Sequence, residues 1–250
     1  MLKGFQITIL PLILIWFCRC TSSVNTSKIE PRTNNSVTAN AKNPDKDTSF
    51  LEKHLIQKNL INIHSLDTNI RVVLHYATDQ NFLHKPLYNG LTQCYLPCEV
   101  AIKLCNAQYY LHEKFPDYNI IVFDAVRPLH IQKKMWEELD LPSSEKINYL
   151  AHPDDISLHN YGAAVDVGII GQNDVLLDMG SPFDHFGELS EPKLEKQFSE
   201  SGQLLPCALN NRLLLRKVME RAGFTSITSE WWHFNSSSKL MASKKFELIE

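Results

Sequence analysis

Apolar and polar positions alternate along the chain with two different periods, and each period predicts a different element. Around Ile70 to Tyr76, β-branched and aromatic residues follow one another and give way to a polar loop at Thr78 to Asn81, the pattern of a strand running into a loop. From about Pro97 to Lys114 the positions Ala101, Leu104, Cys105, Gln108 and Leu111 recur at helical spacing, with Pro97 suited to a first turn. Asn119 to Phe123, NIIVF, is a short continuous apolar run of the kind that forms a buried strand. Pro128 biases Arg127 away from helical geometry and can itself open a helix, whose pattern runs through about Glu138. After a polar stretch to about Ile156, Ala163 to Ile169 alternates small or polar with apolar residues, which predicts a strand. Asn210 to Ala222 alternates charge and leucine at helical spacing and stops at Gly223, a natural left-handed cap. The chain then reads SITSEWWHFN, a strand-like piece. No repeat and no second domain emerge, so the expected fold is α+β: a single domain with a mainly antiparallel sheet flanked by helices.

The start of the chain follows a different pattern. MLKGFQITILPLILIWFCRC places a lysine before an apolar run from Phe5 to Phe17, too short for a comfortable membrane span and better suited to an export signal. Cys18 or Cys20 is a candidate lipidated residue, although Phe17 and Arg19 stand where such sites prefer small side chains; a plain secretory signal is the alternative. Residues 21–48 are rich in Ser, Thr, Asn and Lys and nearly free of large apolar residues, too little to offset the entropy of ordering them, and read as a linker. The expected organisation is a signal over 1–20, a linker over 21–48 and a folded domain over 49–250, located in the periplasm or cell envelope. The 250 residues and 44% hydrophobic content allow one sizeable core. A net charge of −3 without a basic, aromatic-rich block argues against a nucleic-acid partner. Export makes disulfides permissible among Cys94, Cys98, Cys105 and Cys207, with the pairing open. No CxxC pattern points to a thiolate metal site.

Two short stretches carry candidate chemistry. In SLHNYGAAVDVGI, Ser157 to Ile169, Asp166 points away from the apolar side of its strand between Ala164 and Gly168, which leaves it space for a ligand. A turn at Tyr161 and Gly162 folds His159 toward the same face. Near the end, EWWH supplies Glu230 and His233. Two histidines and a carboxylate form the donor set of catalytic zinc sites that keep a fourth position open, and a spare glutamate serves as general base. His159, Asp166 and His233 are the expected ligands of one Zn2+ and Glu230 the base. A regular strand would turn Glu230 and His233 to opposite sides, so the backbone must bend between them. Arg127 offers a fixed fork of donors to an oxyanion or a carboxylate, or else a structural ion pair to Asp124. Taken singly each signal also fits a structural role; their order and spacing make the combination specific.

At these residues the sequence resembles the zinc D-Ala-D-Ala dipeptidases of the VanX type. SLHNYGAAVDVGI looks like their SxHxxGxAxD motif and SEWWHF like their ExWH motif. YATDQNF at Tyr76, the DxxRP at Asp124 to Pro128, and MGSPFD at Met179 to Asp184 match further patterns, over about Leu74 to Phe234. The resemblance implies that His159, Asp166 and His233 bind zinc on the sheet, that Glu230 is the catalytic base, and that Arg127 stabilises the oxyanion. It implies substrate-binding or supporting roles for Tyr76, Asp124, Ser157 and Asp184. Ala125 and Val126, Leu158 to Tyr161, and Leu83-His84 depart from the family pattern and bear on substrate preference.

The expected activity is zinc-dependent hydrolysis of the D-alanyl-D-alanine dipeptide, with a small dipeptide as partner, no protein partner implied, and membrane anchoring resting on Cys18. The rivals are a D,D-carboxypeptidase or L,D-endopeptidase acting on longer cell-wall peptides, a zinc-stabilised binding module of the envelope, and a non-haem iron site.

Overall fold

The computed structural model describes residues 49–147 and 150–250. The expected signal, the linker and Cys18 lie outside the described residues. In chain order the elements are helix α1 (Phe50–Gln57), strands β1 (Ile61–Asn62), β2 (Arg71–Val72) and β3 (Tyr95–Leu96), helix α2 (Cys98–His112), strand β4 (Asn119–Asp124), helices α3 (Leu129–Glu138) and α4 (Ser143–Lys146), strand β5 (Ala164–Ile170), helices α5 (Glu195–Glu200) and α6 (Pro206–Arg221), strands β6 (Thr225–Ser226) and β7 (His233–Asn235), and helix α7 (Lys239–Lys245). Among the described residues no helix is long and apolar enough to cross a membrane.

Five strands form one sheet in the order β2-β4-β5-β7-β6. β2 runs parallel to β4, and the other pairings are antiparallel, as expected for an α+β domain with a mainly antiparallel sheet. β1 and β3 make a separate two-stranded ribbon. Alternation along β4 and β5 sends Ile120, Val122, Val165, Val167 and Ile169 into the core, where all five are fully buried. α2 and α6 pack on each other and on β4 and β5, contributing Leu104, Leu111, Leu215 and Met219 to the same core.

Register places the chemistry. Asp124 on β4 pairs with Asp166 on β5, and Asp166 pairs with His233 on β7, so three polar side chains form a row across the middle of the sheet. The β4–β5 register shifts between Val122 and Asp124, at the end of β4 that carries Asp124.

Several elements differ from the sequence expectation. The strand expected over Ile70 to Tyr76 shrinks to Arg71–Val72 and is followed by a tight helical turn at His75–Ala77 that buries Tyr76. Helix α6 starts at Pro206, four residues before the leucine pattern, because proline fits the first helical position. SITSEWWHFN is two strands, β6 and β7, paired antiparallel and joined through a bend. The room beside Asp166 was expected to suit a ligand; at Gly168 it serves packing instead, since a Cβ there would stand 2.9 Å from the Phe123 ring. All four described cysteines are free thiols, so none of the permitted disulfides forms among them.

Candidate metal centre and catalytic cleft

His159 reaches the sheet through a short turn. Ser157 Oγ accepts the His159 backbone N–H at 3.3 Å and the Asn160 side chain accepts the Ser157 N–H at 2.7 Å, a reciprocal cap that starts the turn at Leu158–Tyr161. Gly162 ends it with φ +62, where a Cβ would stand 2.7 Å from Pro97 Cδ and 2.8 Å from Val126 Cγ2, so only glycine fits. The turn is tied to the end of β4, since Arg127 N–H donates to His159 O at 3.0 Å and Asn160 Nδ2 donates to Arg127 O at 2.7 Å.

Three ligand atoms converge. His159 Nε2, His233 Nδ1 and a carboxylate oxygen of Asp166 all lie within 4.8 Å of one another. His159 Nε2 is 3.2 Å from His233 Nδ1 and 3.4 Å from Asp166 Oδ1, and His233 Nδ1 is 3.1 Å from Asp166 Oδ1. Bonds of about 2.0–2.1 Å in tetrahedral geometry put neighbouring ligand atoms about 3.3 Å apart, so these spacings are those of a tetrahedral edge. The outer ring nitrogens are committed elsewhere: His159 Nδ1 is 2.7 Å from Ala125 O and His233 Nε2 is 2.8 Å from Asn235 Oδ1. Those partners impose the tautomer in which each facing nitrogen carries a lone pair. Asp166 Oδ1 is buried without a hydrogen bond. A buried acceptor beside two nitrogen lone pairs is favourable only around a cation, so the three residues fit a zinc ion. In the chain alone, burial lowers the affinity of His233 for a proton, but the Asp166 carboxylate and Glu230 outweigh it and raise His233 to about 9. A proton and a metal ion thus compete for the same nitrogen.

Glu230 stands beside this set. The backbone bends at Trp231 and Trp232 before β7 begins, which brings Glu230 Oε2 to 3.7 Å from His233 Nδ1. The bend supplies what a regular strand would have denied. The Glu230 side chain stays 26% exposed to the cleft, while surrounding packing pushes its carboxyl above the ordinary glutamate range.

Arg127 is held rigidly. Its Nε and Nη2 both donate to Asp124 Oδ2, at 2.9 and 2.6 Å, and its Nη1 donates to Gln132 Oε1 at 3.1 Å. The guanidinium lies 4.9 Å from the Tyr76 ring centroid and its Nη2 3.7 Å from Asp166 Oδ2. Asp124 is completely buried beneath the cleft, and its other oxygen accepts from the Tyr88 hydroxyl. Tyr76 donates to Asp184 Oδ1 at 3.0 Å, and Asp184 Oδ2 is buried without a partner. Burial and the neighbouring Asp166 push the Asp184 carboxyl well above its usual range, against the Tyr76 hydrogen bond.

A cavity of about 410 Å3 opens over these groups, lined by Tyr76, Arg127, Ser157, His159, Asp166, Asp184, Glu230 and His233. Every site residue expected from the sequence except Asp124 lines it; Asp124 braces Arg127 from below. Tyr88, Gln132 and Asn235, which orient the site, were not anticipated. Asn235 follows directly on the SEWWHF motif, two residues after His233, which was the one signal that could have pointed to it.

A buried donor set of this composition, open to a cleft on one side, is the arrangement of metal-dependent hydrolases. Residues 57–250 match the D-ala-D-ala dipeptidase family, Peptidase_M15. The chain belongs to that family and is a metallopeptidase. It is 28% identical to the D-alanyl-D-alanine dipeptidase of Escherichia coli (strain K12) over 175 residues, covering 70% of this chain and 83% of the relative. It is also 28% identical to a D-alanyl-D-alanine dipeptidase of Synechocystis over 187 residues, covering 62% of this chain and 74% of the relative. Among solved structures, a vancomycin-resistance D,D-pentapeptidase in complex with Zn(II) is similar over 62% of this chain and 79% of its own, at 16% identity and a TM-score of 0.35.

Proposed function

We propose that this chain hydrolyses the free D-alanyl-D-alanine dipeptide with one zinc ion held by His159, Asp166 and His233. The observation that carries the reading is the partnerless Asp166 Oδ1 facing two histidine lone pairs, with Glu230 and Arg127 over the same cleft. Zinc bound there supplies Lewis-acid polarisation and makes a water acidic near neutral pH. Glu230 takes the proton of the attacking water and passes it to the leaving amine, and its raised carboxyl affinity suits both steps. Arg127, fixed by Asp124, Gln132 and the Tyr76 ring, meets the developing oxyanion or the substrate carboxylate without reorganising. Asp184 Oδ2 is the acceptor for the substrate ammonium, whose charge favours the ionised form of a carboxyl that burial pushes up. Ser157 acts by fixing the His159 turn.

A second reading has its own support. The cleft shares Asp184, Ser229, Glu230 and Trp232 with an adjoining cavity of about 440 Å3, room for a peptide longer than two residues, as a carboxypeptidase or endopeptidase would need. Comparing D-Ala-D-Ala with N-acetyl-D-Ala-D-Ala on the zinc-loaded protein separates the two. Cleavage of the free dipeptide alone supports the first reading; cleavage of the blocked or longer substrate with the dipeptide untouched replaces it by the second. We further place the protein outside the cytoplasm, on the apolar run at Phe5 to Phe17, in the periplasm or envelope and anchored if Cys18 is lipidated. Fractionation with globomycin-sensitive processing as readout tests the anchor.

A further inference from the structure

The loop that carries Asp184 is held from behind by a buried cation. Arg212 on α6 is 1% exposed, and none of its nitrogens reaches the cleft. Its Nε donates to Met179 O at 2.5 Å, and its Nη2 donates to Leu189 O at 2.8 Å and to Ser181 Oγ at 3.4 Å. One guanidinium therefore grips both ends of the segment from Met179 to Leu189. Glu195 stands 3.6 Å from Nη1 and offsets the charge; its close partner is Arg216, at 2.8 Å.

The grip reaches both sides of the cleft. Gly180 has φ +81, and a Cβ there would stand 2.3 Å from Leu204 Cδ1, just before α6, and 3.4 Å from Ala208 Cβ on α6. Ser181 Oγ accepts the Trp231 indole N–H at 3.0 Å and lies 3.1 Å from Ser190 Oγ, which donates to His185 O at 3.0 Å. Trp231 is the residue next to Glu230. Midway along the segment, Asp184 keeps φ +58. A non-glycine residue holds that conformation only where its surroundings over-determine it, and the clamp at both loop ends does so here.

We propose that Arg212 is a positioning residue that fixes Asp184 at the cleft and, through Ser181 and Trp231, helps to fix Glu230. The guanidinium is needed because two carbonyls ten residues apart require a rigid fork; a lysine ammonium reaches them from one point. The inference rests on the reading of Asp184 as the ammonium acceptor.

Steady-state hydrolysis of D-Ala-D-Ala by the full zinc-loaded chain tests it in Arg212→Lys, with Glu195→Gln as the control that removes the countercharge and spares the loop contacts. Amide hydrogen exchange over residues 180–190 is followed in parallel. With zinc retained, Arg212→Lys is expected to raise KM about tenfold, lower kcat by up to about threefold through the indirect tie to Glu230, and speed loop exchange, while Glu195→Gln keeps the parental KM. Parental KM and parental loop exchange in a folded Arg212→Lys protein overturn the proposal, as does an equal KM rise in Glu195→Gln. If Arg212→Lys does not fold, Ser181→Ala decides: a KM rise of about threefold with faster loop exchange supports the clamp, and parental values for both refute it. If the parent does not cleave D-Ala-D-Ala, the substrate reading has failed, and the exchange comparison alone decides whether Arg212 clamps the loop.

Discussion

Asn235 meets the ligand set through His233, whose Nε2 stands 2.8 Å from its Oδ1, and so decides which nitrogen of His233 faces Asp166. Removing such an orienting partner costs about 10- to 100-fold in metal affinity or activity, so Asn235→Ala is expected to lose zinc that much more readily in a chelator competition with the fold intact. Glu230→Gln keeps the shape of the side chain but removes its charge beside His233 and cannot take a proton; turnover should fall by about 10²- to 10⁴-fold while zinc stays bound. Tyr88→Phe leaves one oxygen of the fully buried Asp124 without its donor. The expected loss is about 1–3 kcal/mol, read by urea denaturation. The cleft-facing residues were legible in the sequence because their spacing is local: His159 with Asp166, Glu230 with His233. Tyr88, Gln132 and Arg212 were not, because each acts through a partner on another element, and an isolated tyrosine, glutamine or arginine carries no pattern.

At the scale of elements, the site depends on one tight turn and one bend. Gly162→Ala must place a Cβ against Pro97 and Val126 at positive φ. Strain and overpacking there cost about 1–3 kcal/mol, and because the turn aims His159, zinc content should drop with melting temperature. A variant of parental stability and zinc content would show that the turn does not set the ligand. The buried strands and the long helices were legible from periodicity, within a few residues at their ends. The segment after Val72 was not: its apolar residues pack Tyr76 and its neighbours from a helical turn, and local pattern does not distinguish a buried turn from a strand. The split of SITSEWWHFN into β6 and β7 was equally hidden, although the need for a bend was readable from Glu230 and His233 lying three apart. The cysteines make a further element-scale test. Burial pushes the Cys94 thiol up beyond its ordinary range and the partly buried Cys105 thiol up to about 11. Because the thiolate is the reactive form, peptide mapping after a brief alkylation at neutral pH should find exposed Cys98 modified and Cys94 untouched.

At the scale of the molecule, three strands and the turn before β5 bring residues from Asp124 to His233 into one row, so metal binding and folding are coupled. Zinc that binds the native chain and not the unfolded one stabilises it by about 4 kcal/mol at a thousandfold excess over Kd. Chelation should therefore lower the melting temperature, and zinc should restore it in the parent and not in Asp166→Ala. The fold class was readable from the order of periods, and the sheet order from none of them, since parallel pairing of β2 with β4 depends on contacts far apart in sequence. On the reading proposed above, this row is a zinc-dependent dipeptidase centre. Its most direct test is the release of free D-alanine from D-Ala-D-Ala by the zinc-loaded protein beside zinc-loaded Glu230→Gln. Release by the parent, abolished by chelation and nearly lost in the variant, is the predicted result; no release from a parent that holds one zinc per chain, or equal release by the variant, would contradict it.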